Sequence, residues 1–107
     1  MADPISVLRP QGRLDGSTSR DFEQDLLKRI EAGEHLLVLD FSKIAFISSA
    51  GLRAILSAAK RVKSVGGRLA ICAPTKPVKE IFDVTGCMTL LDIVPTYDAA
   101  AAHLSMI

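Results

Sequence analysis

The 107-residue chain has little of several features that mark particular classes of protein. It has no tryptophan and one tyrosine, and its 13 basic side chains nearly balance 12 acidic ones, for a net charge of +1. So few aromatic rings offer no stacking surface to single-stranded nucleic acid, and balanced charge gives no overall attraction to nucleic acid or anionic membrane. No apolar run is long enough to span a bilayer, and the N-terminus lacks the features of a signal peptide. We therefore expect a cytoplasmic protein that binds neither nucleic acid nor membrane.

Cysteine is also scarce. Cys72 and Cys87 are far apart in the sequence and show no metal-ligand spacing, so we expect buried, reduced thiols and no metal or cofactor. With 49% hydrophobic and 23% charged residues, the chain has the composition of an ordinary globular protein and enough length for its own core. We expect a single domain over residues 1–107, and nothing in the sequence demands more than a monomer.

Hydrophobic periodicity predicts the element order ββαβαβαβα. Weak alternation in Ile5–Leu8 and Gly12–Leu14 favours either a β-hairpin or two edge strands at the start of the chain. The run Leu36–Leu39 is apolar on both faces, which is typical of a central strand covered on both sides. Strand-helix-strand crossovers require at least part of the sheet to be parallel. The prediction is an α/β domain with a mixed sheet of about four to five strands and about four helices.

The remaining elements follow from periodicity and from capping residues. Two further strands are predicted at Arg68–Ala73 and Leu90–Val94. The four predicted helices run from Ser17 or Thr18 to Gly33, from near Leu52 to Gly66, from near Val78 to Gly86, and from Thr96 to Met106.

Two serines, Ser48 and Ser49, stand where the central strand and its loop give way to the second helix. A hydroxyl at a helix N-cap accepts a hydrogen bond from an amide of the first turn, and the same helix end favours anions. Two interpretations follow from this position. The serines cap the helix, or one of them is converted into a phosphoserine.

Patterns that support catalysis are missing. A serine nucleophile needs a nearby base, but the only histidines are His35 and His103, and Ile47 stands where a nucleophile elbow has glycine. Gly66–Arg68 lacks the spacing to lysine that defines a phosphate-binding loop and is better interpreted as a helix end. The carboxylates are scattered through loops and element ends, so no acid/base pair can be named. We expect no enzymatic activity.

The second helix has a basic outer face. Because the total charge is balanced, we interpret this face as a solvated helix surface rather than a binding site. The basic residues are Arg53, Lys60, Arg61 and Lys63, with Lys76 and Lys79 on the third helix.

The segment Asp40–Leu52, with Gly12–Asp15 upstream and Gly66–Leu69 downstream, resembles the STAS domain of bacterial anti-sigma factor antagonists. The resemblance extends over nearly the whole chain in the same element order. Ser49 falls on the position that is phosphorylated in that family. Ser48 replaces an aspartate that is frequent there, and it leaves a second hydroxyl beside Ser49.

This resemblance implies a partner-switching mechanism. The unphosphorylated antagonist binds an anti-sigma factor, which in this family is often also its serine kinase, and the sigma factor is released. Phosphorylation of Ser49 would end that binding, and a PP2C-type serine phosphatase would reset the system. The chain would then be a substrate and a binding protein, acting in transcription regulation and signal transduction.

The resemblance also implies a partner-binding surface built from two segments of the chain. Two other functions stay open: a STAS module that regulates a non-sigma output or a sensory complex, and a small-ligand or nucleotide binder that uses the helix N-terminus. The predicted surface consists of Asp15, Gly16, Ser17, Ser48, Ser49, Ala50, Gly51 and Arg53.

Overall fold

The computed structural model describes residues 4–86 and 91–105. Three positions used in the sequence predictions, Cys87, Leu90 and Met106, lie outside the described residues. In chain order the elements are β1 Ile5–Leu8, β2 Gly12–Leu14, α1 Ser19–Glu31, β3 Leu36–Asp40, β4 Ile44–Ile47, α2 Ser49–Ser64, β5 Arg68–Cys72, α3 Lys76–Thr85, β6 Asp92–Val94 and α4 Tyr97–Ser105.

Within residues 4–86 and 91–105, six strands form two sheets. A four-stranded sheet has the order β1-β3-β5-β6, and a two-stranded sheet joins β2 to β4. The strand pairs in both sheets are parallel. In the larger sheet this arrangement is possible because a helix lies between each strand and its neighbour. The predicted α/β class is confirmed, and the described residues form four helices, as predicted, and six strands where four to five were expected.

The start of the chain is not a β-hairpin. Strand β1 pairs with β3, with Ile5 opposite Leu36, while β2 pairs with β4. Pro10 has no amide to donate to a hairpin ladder, and Gly12, the first residue of β2, has φ +84°, so the chain turns where β2 begins. Of the two predicted arrangements the hairpin is therefore wrong, and β1 is an edge strand of the larger sheet.

Strand β3 lies in the centre of the larger sheet, as predicted. Its side chains alternate between two hydrophobic clusters, with Leu37 and Leu39 on one side and Leu36 and Val38 on the other. The first cluster includes residues of α1 and α2, and the second includes Ala100 of α4. Both faces of this strand are covered, which is why its sequence is continuously apolar.

The start of α4 and the end of α3 agree with the predicted capping residues, whereas α1 ends with Ala32 as its C-cap, one residue before the predicted Gly33. Thr96 accepts a hydrogen bond from the Ala99 amide at 3.1 Å, and Gly86 ends α3 in the left-handed conformation. Helix α2 starts at Ser49, three residues before the predicted start near Leu52. Val84, included in the predicted third helix, is 85% exposed. Among the described residues, no helix is both long and apolar enough to cross a membrane.

Candidate functional site

The two predicted partner-binding segments meet because β2 and β4 run parallel. Leu14 is paired with Ile47 at the carboxyl ends of these strands, so Asp15 and Ser48 leave the sheet side by side. The Ser48 amide donates a hydrogen bond to the Leu14 carbonyl at 2.8 Å. Segments more than 30 positions apart in the sequence therefore form one surface.

Gly51 allows this close approach. It is buried in the first turn of α2, and a Cβ atom at this position would lie 2.6 Å from the Leu14 carbonyl oxygen and 3.0 Å from a methyl group of Ile47. Real Cβ atoms do not approach a backbone oxygen so closely, so glycine is required for this packing. Because Gly51 is buried, it packs beneath the predicted partner-binding surface and adds no exposed area to it.

The structure assigns different environments to the two serines. Ser48 is the N-cap of α2 in an extended conformation, and its Oγ accepts a hydrogen bond from the Gly51 amide at 3.2 Å. Ser49 is the first residue of the helix and is exposed. Within residues 4–86 and 91–105, no hydrogen bond of the Ser49 hydroxyl is found. The capping interpretation thus applies to Ser48 and leaves the Ser49 hydroxyl accessible.

The loop after β2 is held by hydrogen bonds around one carboxylate. Asp15 Oδ1 accepts from the Ser17 hydroxyl at 2.7 Å and from the Ser17 amide at 2.9 Å. These bonds hold the pKa of the Asp15 carboxyl below its usual value, because they favour its charged form. Thr18 closes the loop by donating to the Arg13 carbonyl at 2.8 Å. Asp15 is thus an ionised, oriented carboxylate beside Ser48.

Thr18 is a site residue that the sequence predictions used only as a possible helix cap. Its side chain makes no cap hydrogen bond to α1 and instead also accepts from the Asp15 amide at 3.0 Å. The spacing Asp15-x-x-Thr18 is the signal that could have identified this closed loop. Arg13 adds to the same surface, with its guanidinium carbon 4.5 Å from the centre of the Phe46 ring.

A second ordered carboxylate lies at the end of β3. The Ser42 amide donates to Asp40 Oδ1 at 2.9 Å, and Arg9 lies 3.4 Å from Oδ2. The hydrogen bond from the Ser42 amide contributes most to holding the pKa of the Asp40 carboxyl below its usual value. Cys72, paired with Asp40 in the adjacent strand, is a buried free thiol, as predicted, and burial raises its pKa.

Seven of the eight predicted partner-binding residues are at least partly accessible. Gly16, Ser17, Ser49 and Arg53 are exposed, and Arg53 follows Ser49 by one turn of α2. Asp15, Ser48 and Ala50 have intermediate exposure.

Two surface cavities lie away from the serines. One of about 460 Å³ lies beside Gly67 and Arg68, and another of about 480 Å³ lies on α3 beside Ile81 and Val84. Neither contains Ser48 or Ser49. Among the described residues, no group of three or more metal-ligating side chains is close enough to hold an ion.

The STAS domain family model matches residues 2–100. The chain belongs to the STAS domain family. This STAS domain is 34% identical over 100 residues to BtrV of Bordetella bronchiseptica, a protein named as a candidate anti-sigma factor antagonist. The alignment covers 94% of this chain and 86% of BtrV.

Solved structures show the same STAS fold. A candidate anti-sigma factor antagonist from Thermotoga maritima superposes with a TM-score of 0.90 at 22% identity, covering 98% of this chain and 91% of that one. The unphosphorylated form of the anti-sigma factor antagonist SpoIIAA superposes with a TM-score of 0.81 at 20% identity, covering 99% and 92%. The predicted STAS resemblance is therefore confirmed for both family and fold.

Proposed function

We propose that this STAS domain is an anti-sigma factor antagonist that is switched by phosphorylation of Ser49. The observation that carries the proposal is the exposed Ser49 hydroxyl at the first position of α2, next to Ser48, whose Oγ accepts the capping hydrogen bond from the Gly51 amide. The likeness to BtrV supports an anti-sigma factor as the partner. The chain itself is a binding protein and a kinase substrate, and a PP2C-type phosphatase returns it to the unmodified state.

Phosphorylation at this position is compatible with the fold. A kinase would transfer the γ-phosphoryl group of ATP to Ser49 Oγ, which adds about −1.5 to −2 charges. The N-terminus of α2 is electropositive and stabilises a negative group by about 0.3–1 kcal/mol. Because the Ser49 side chain is exposed, the phosphate remains in water and no buried contact is lost. The modified protein should therefore keep its structure.

The phosphate on Ser49 is expected to change the affinity for the protein partner. In the unmodified protein, Ser49 and the ordered Asp15–Ser17 loop form one accessible surface. A bulky dianion in the middle of this surface would meet either a desolvated or a like-charged patch on the partner, at a cost of several kcal/mol. Since about 1.4 kcal/mol changes affinity tenfold, this cost is enough to release the partner.

The test combines modification and binding. A serine kinase encoded in the gene neighbourhood is incubated with the chain and ATP, and the modified residue is mapped by mass spectrometry. Phosphate is expected on Ser49, and Ser49→Asp should bind the kinase far more weakly than the wild type or Ser49→Ala. A chain that carries no phosphate on Ser49, or a Ser49→Asp variant that binds at full strength, would refute the proposal.

A second candidate function is favoured by one observation. Ser48 occupies the position where this family frequently has aspartate, so the charge beside Ser49 differs from the family pattern. This difference fits a STAS module that recognises another partner, in a sensory complex or a non-sigma output. Pull-down with the unphosphorylated chain distinguishes the two, because recovery of no sigma-regulating protein would favour the second.

A further inference from the structure

Helix α2 differs from α1 and α3 in carrying charge of a single sign. Its 16 residues contain four basic side chains and no acidic one, whereas α1 and α3 contain both signs. Because the whole chain has a net charge of only +1, this is a local concentration of positive charge rather than a property of the composition. The four residues are Arg53, Lys60, Arg61 and Lys63.

Three of these cations share a face with Ser49. At about 100° per residue, Arg53, Lys60 and Lys63 lie within about 40° of Ser49 around the helix axis, and Leu56 lies within about 20°. Arg61 points about 120° away. Lys60 is about 17 Å along the axis from Ser49 at 1.5 Å per residue. We name Arg53, Leu56, Lys60 and Lys63 the α2 ridge.

The α2 ridge combines apolar surface with charge. A cavity of about 400 Å³ is lined by Leu56, Ala59, Lys60 and Lys63. Leu56 and Ala59 are only partly buried, and both lysines are exposed. This arrangement provides an apolar floor with ammonium groups at its rim, which suits a segment that carries both aliphatic and acidic side chains.

The cations of the α2 ridge are available for such a segment. Among residues 4–86 and 91–105, none of Arg53, Lys60 and Lys63 has a carboxylate within 4 Å. By contrast, Arg29 of α1 lies 3.6 Å from Asp25 and 3.5 Å from Glu34. The ridge therefore retains charge that can attract an acidic partner, which argues against the solvated-surface interpretation made from the sequence, whereas Arg29 is paired within its own domain.

We propose that the α2 ridge docks an acidic, amphipathic segment of the protein partner, and that phosphate on Ser49 weakens this docking. The proposal rests on the proposed function, because it identifies the surface on which the switch at Ser49 acts. Phosphate on Ser49 would repel the acidic segment at one end of the ridge. It would also pair with Arg53, since residues four apart on a helix are neighbours, and so remove one docking cation.

A protein segment fits the α2 ridge better than nucleic acid does. The apolar floor formed by Leu56 and Ala59 can pack against aliphatic side chains. A charged phosphate backbone would make no favourable contact with it. Three cations along one helix face also make a small electrostatic footprint for a nucleic-acid site.

The test compares charge reversal on the α2 ridge with an equal charge reversal on α1 and α3. Binding of the neighbouring kinase to Lys60→Glu/Lys63→Glu is compared by fluorescence anisotropy with binding to the control Lys28→Glu/Lys79→Glu. The control changes the net charge equally through exposed lysines of α1 and α3. The ridge variant should bind about tenfold more weakly at low salt, and the difference should shrink at about 0.5 M salt, where screening is strong. The control should bind like the wild type.

A second measurement does not depend on variants. Carbodiimide cross-linking of the wild-type complex should join Lys60 or Lys63 to aspartate or glutamate of the kinase. Equal binding by the ridge variant and the wild type, or equal weakening in the control, would overturn the ridge proposal. If Ser49→Asp still abolishes binding in that case, the proposed function stands.

Two further results would also decide against the ridge. A wild-type chain that does not bind the kinase would overturn both proposals. Binding of the wild type to duplex DNA or phosphatidylserine vesicles, lost in the ridge variant, would overturn an acidic protein segment as the occupant.

Discussion

Replacing Gly51 with alanine tests whether the serine loop depends on close packing against β2. The new Cβ would lie 2.6 Å from the Leu14 carbonyl oxygen, which belongs to the backbone and cannot rotate away. An ordinary carbon-oxygen contact is about 3.3 Å, so α2 and β2 must separate by about 0.7 Å. The same movement would stretch the 2.8 Å bond from the Ser48 amide to this oxygen beyond useful hydrogen-bond length.

The expected cost follows from three contributions. Overpacking costs about 1–3 kcal/mol, and the weakened hydrogen bond adds about 0.5–1.5 kcal/mol. Alanine is a better helix former than glycine by about 1 kcal/mol, which offsets part of this. We expect Gly51→Ala to lower the free energy of unfolding by about 2 kcal/mol, and to lower Tm by about 8 °C or more.

The assay is urea and thermal unfolding followed by circular dichroism. Gly16→Ala is the matched control, because a Cβ at Gly16 meets nothing within 4 Å and Gly16 does not have a positive φ. Its stability should stay within about 0.5 kcal/mol of the wild type. If Gly51→Ala were as stable as Gly16→Ala, or more stable than the wild type, the claim that this contact positions the serine loop would be wrong.

Two further predictions concern capping and pH. Ser48→Ala should lower the free energy of unfolding by about 0.5–2 kcal/mol because α2 loses its cap, while Ser48→Asp, which can still cap, should stay close to the wild type in urea unfolding. Equal stability of Ser48→Ala and Ser49→Ala would contradict the assignment of Ser48 as the cap. The lowered pKa of Asp40 stabilises the fold above the pKa of the unfolded chain, about 4, and this stabilisation is lost as pH falls through the folded pKa. Asp40→Asn should therefore reduce the loss of unfolding free energy below about pH 4, and an unchanged pH dependence in parallel titrations would show that Asp40 does not contribute.

The predictions that held depend on local physics. The position of β3 follows from a run that is apolar on both faces. Gly86 ends α3 through its left-handed backbone conformation, and Thr96 caps the start of α4 with its side chain, so both signals act within a few residues. The predictions that changed involve distant segments. Strand β4, Ile44–Ile47, is missing from the predicted element order because so short a segment forms a strand here by pairing with β2, a distant part of the chain.

The sequence alone therefore determined the α/β class, the central strand and the junction at which two serines meet a helix. These features depend on periodicity and on caps that act between near neighbours in the chain. Only the tertiary structure decided that β2 pairs with β4, that Asp15 leaves the sheet beside Ser48, and that Ser48 caps α2 while the Ser49 hydroxyl stays exposed. The reason is that parallel pairing joins strands about 30 residues apart in the sequence. No local pattern specifies which distant carbonyl accepts the hydrogen bond of a given amide.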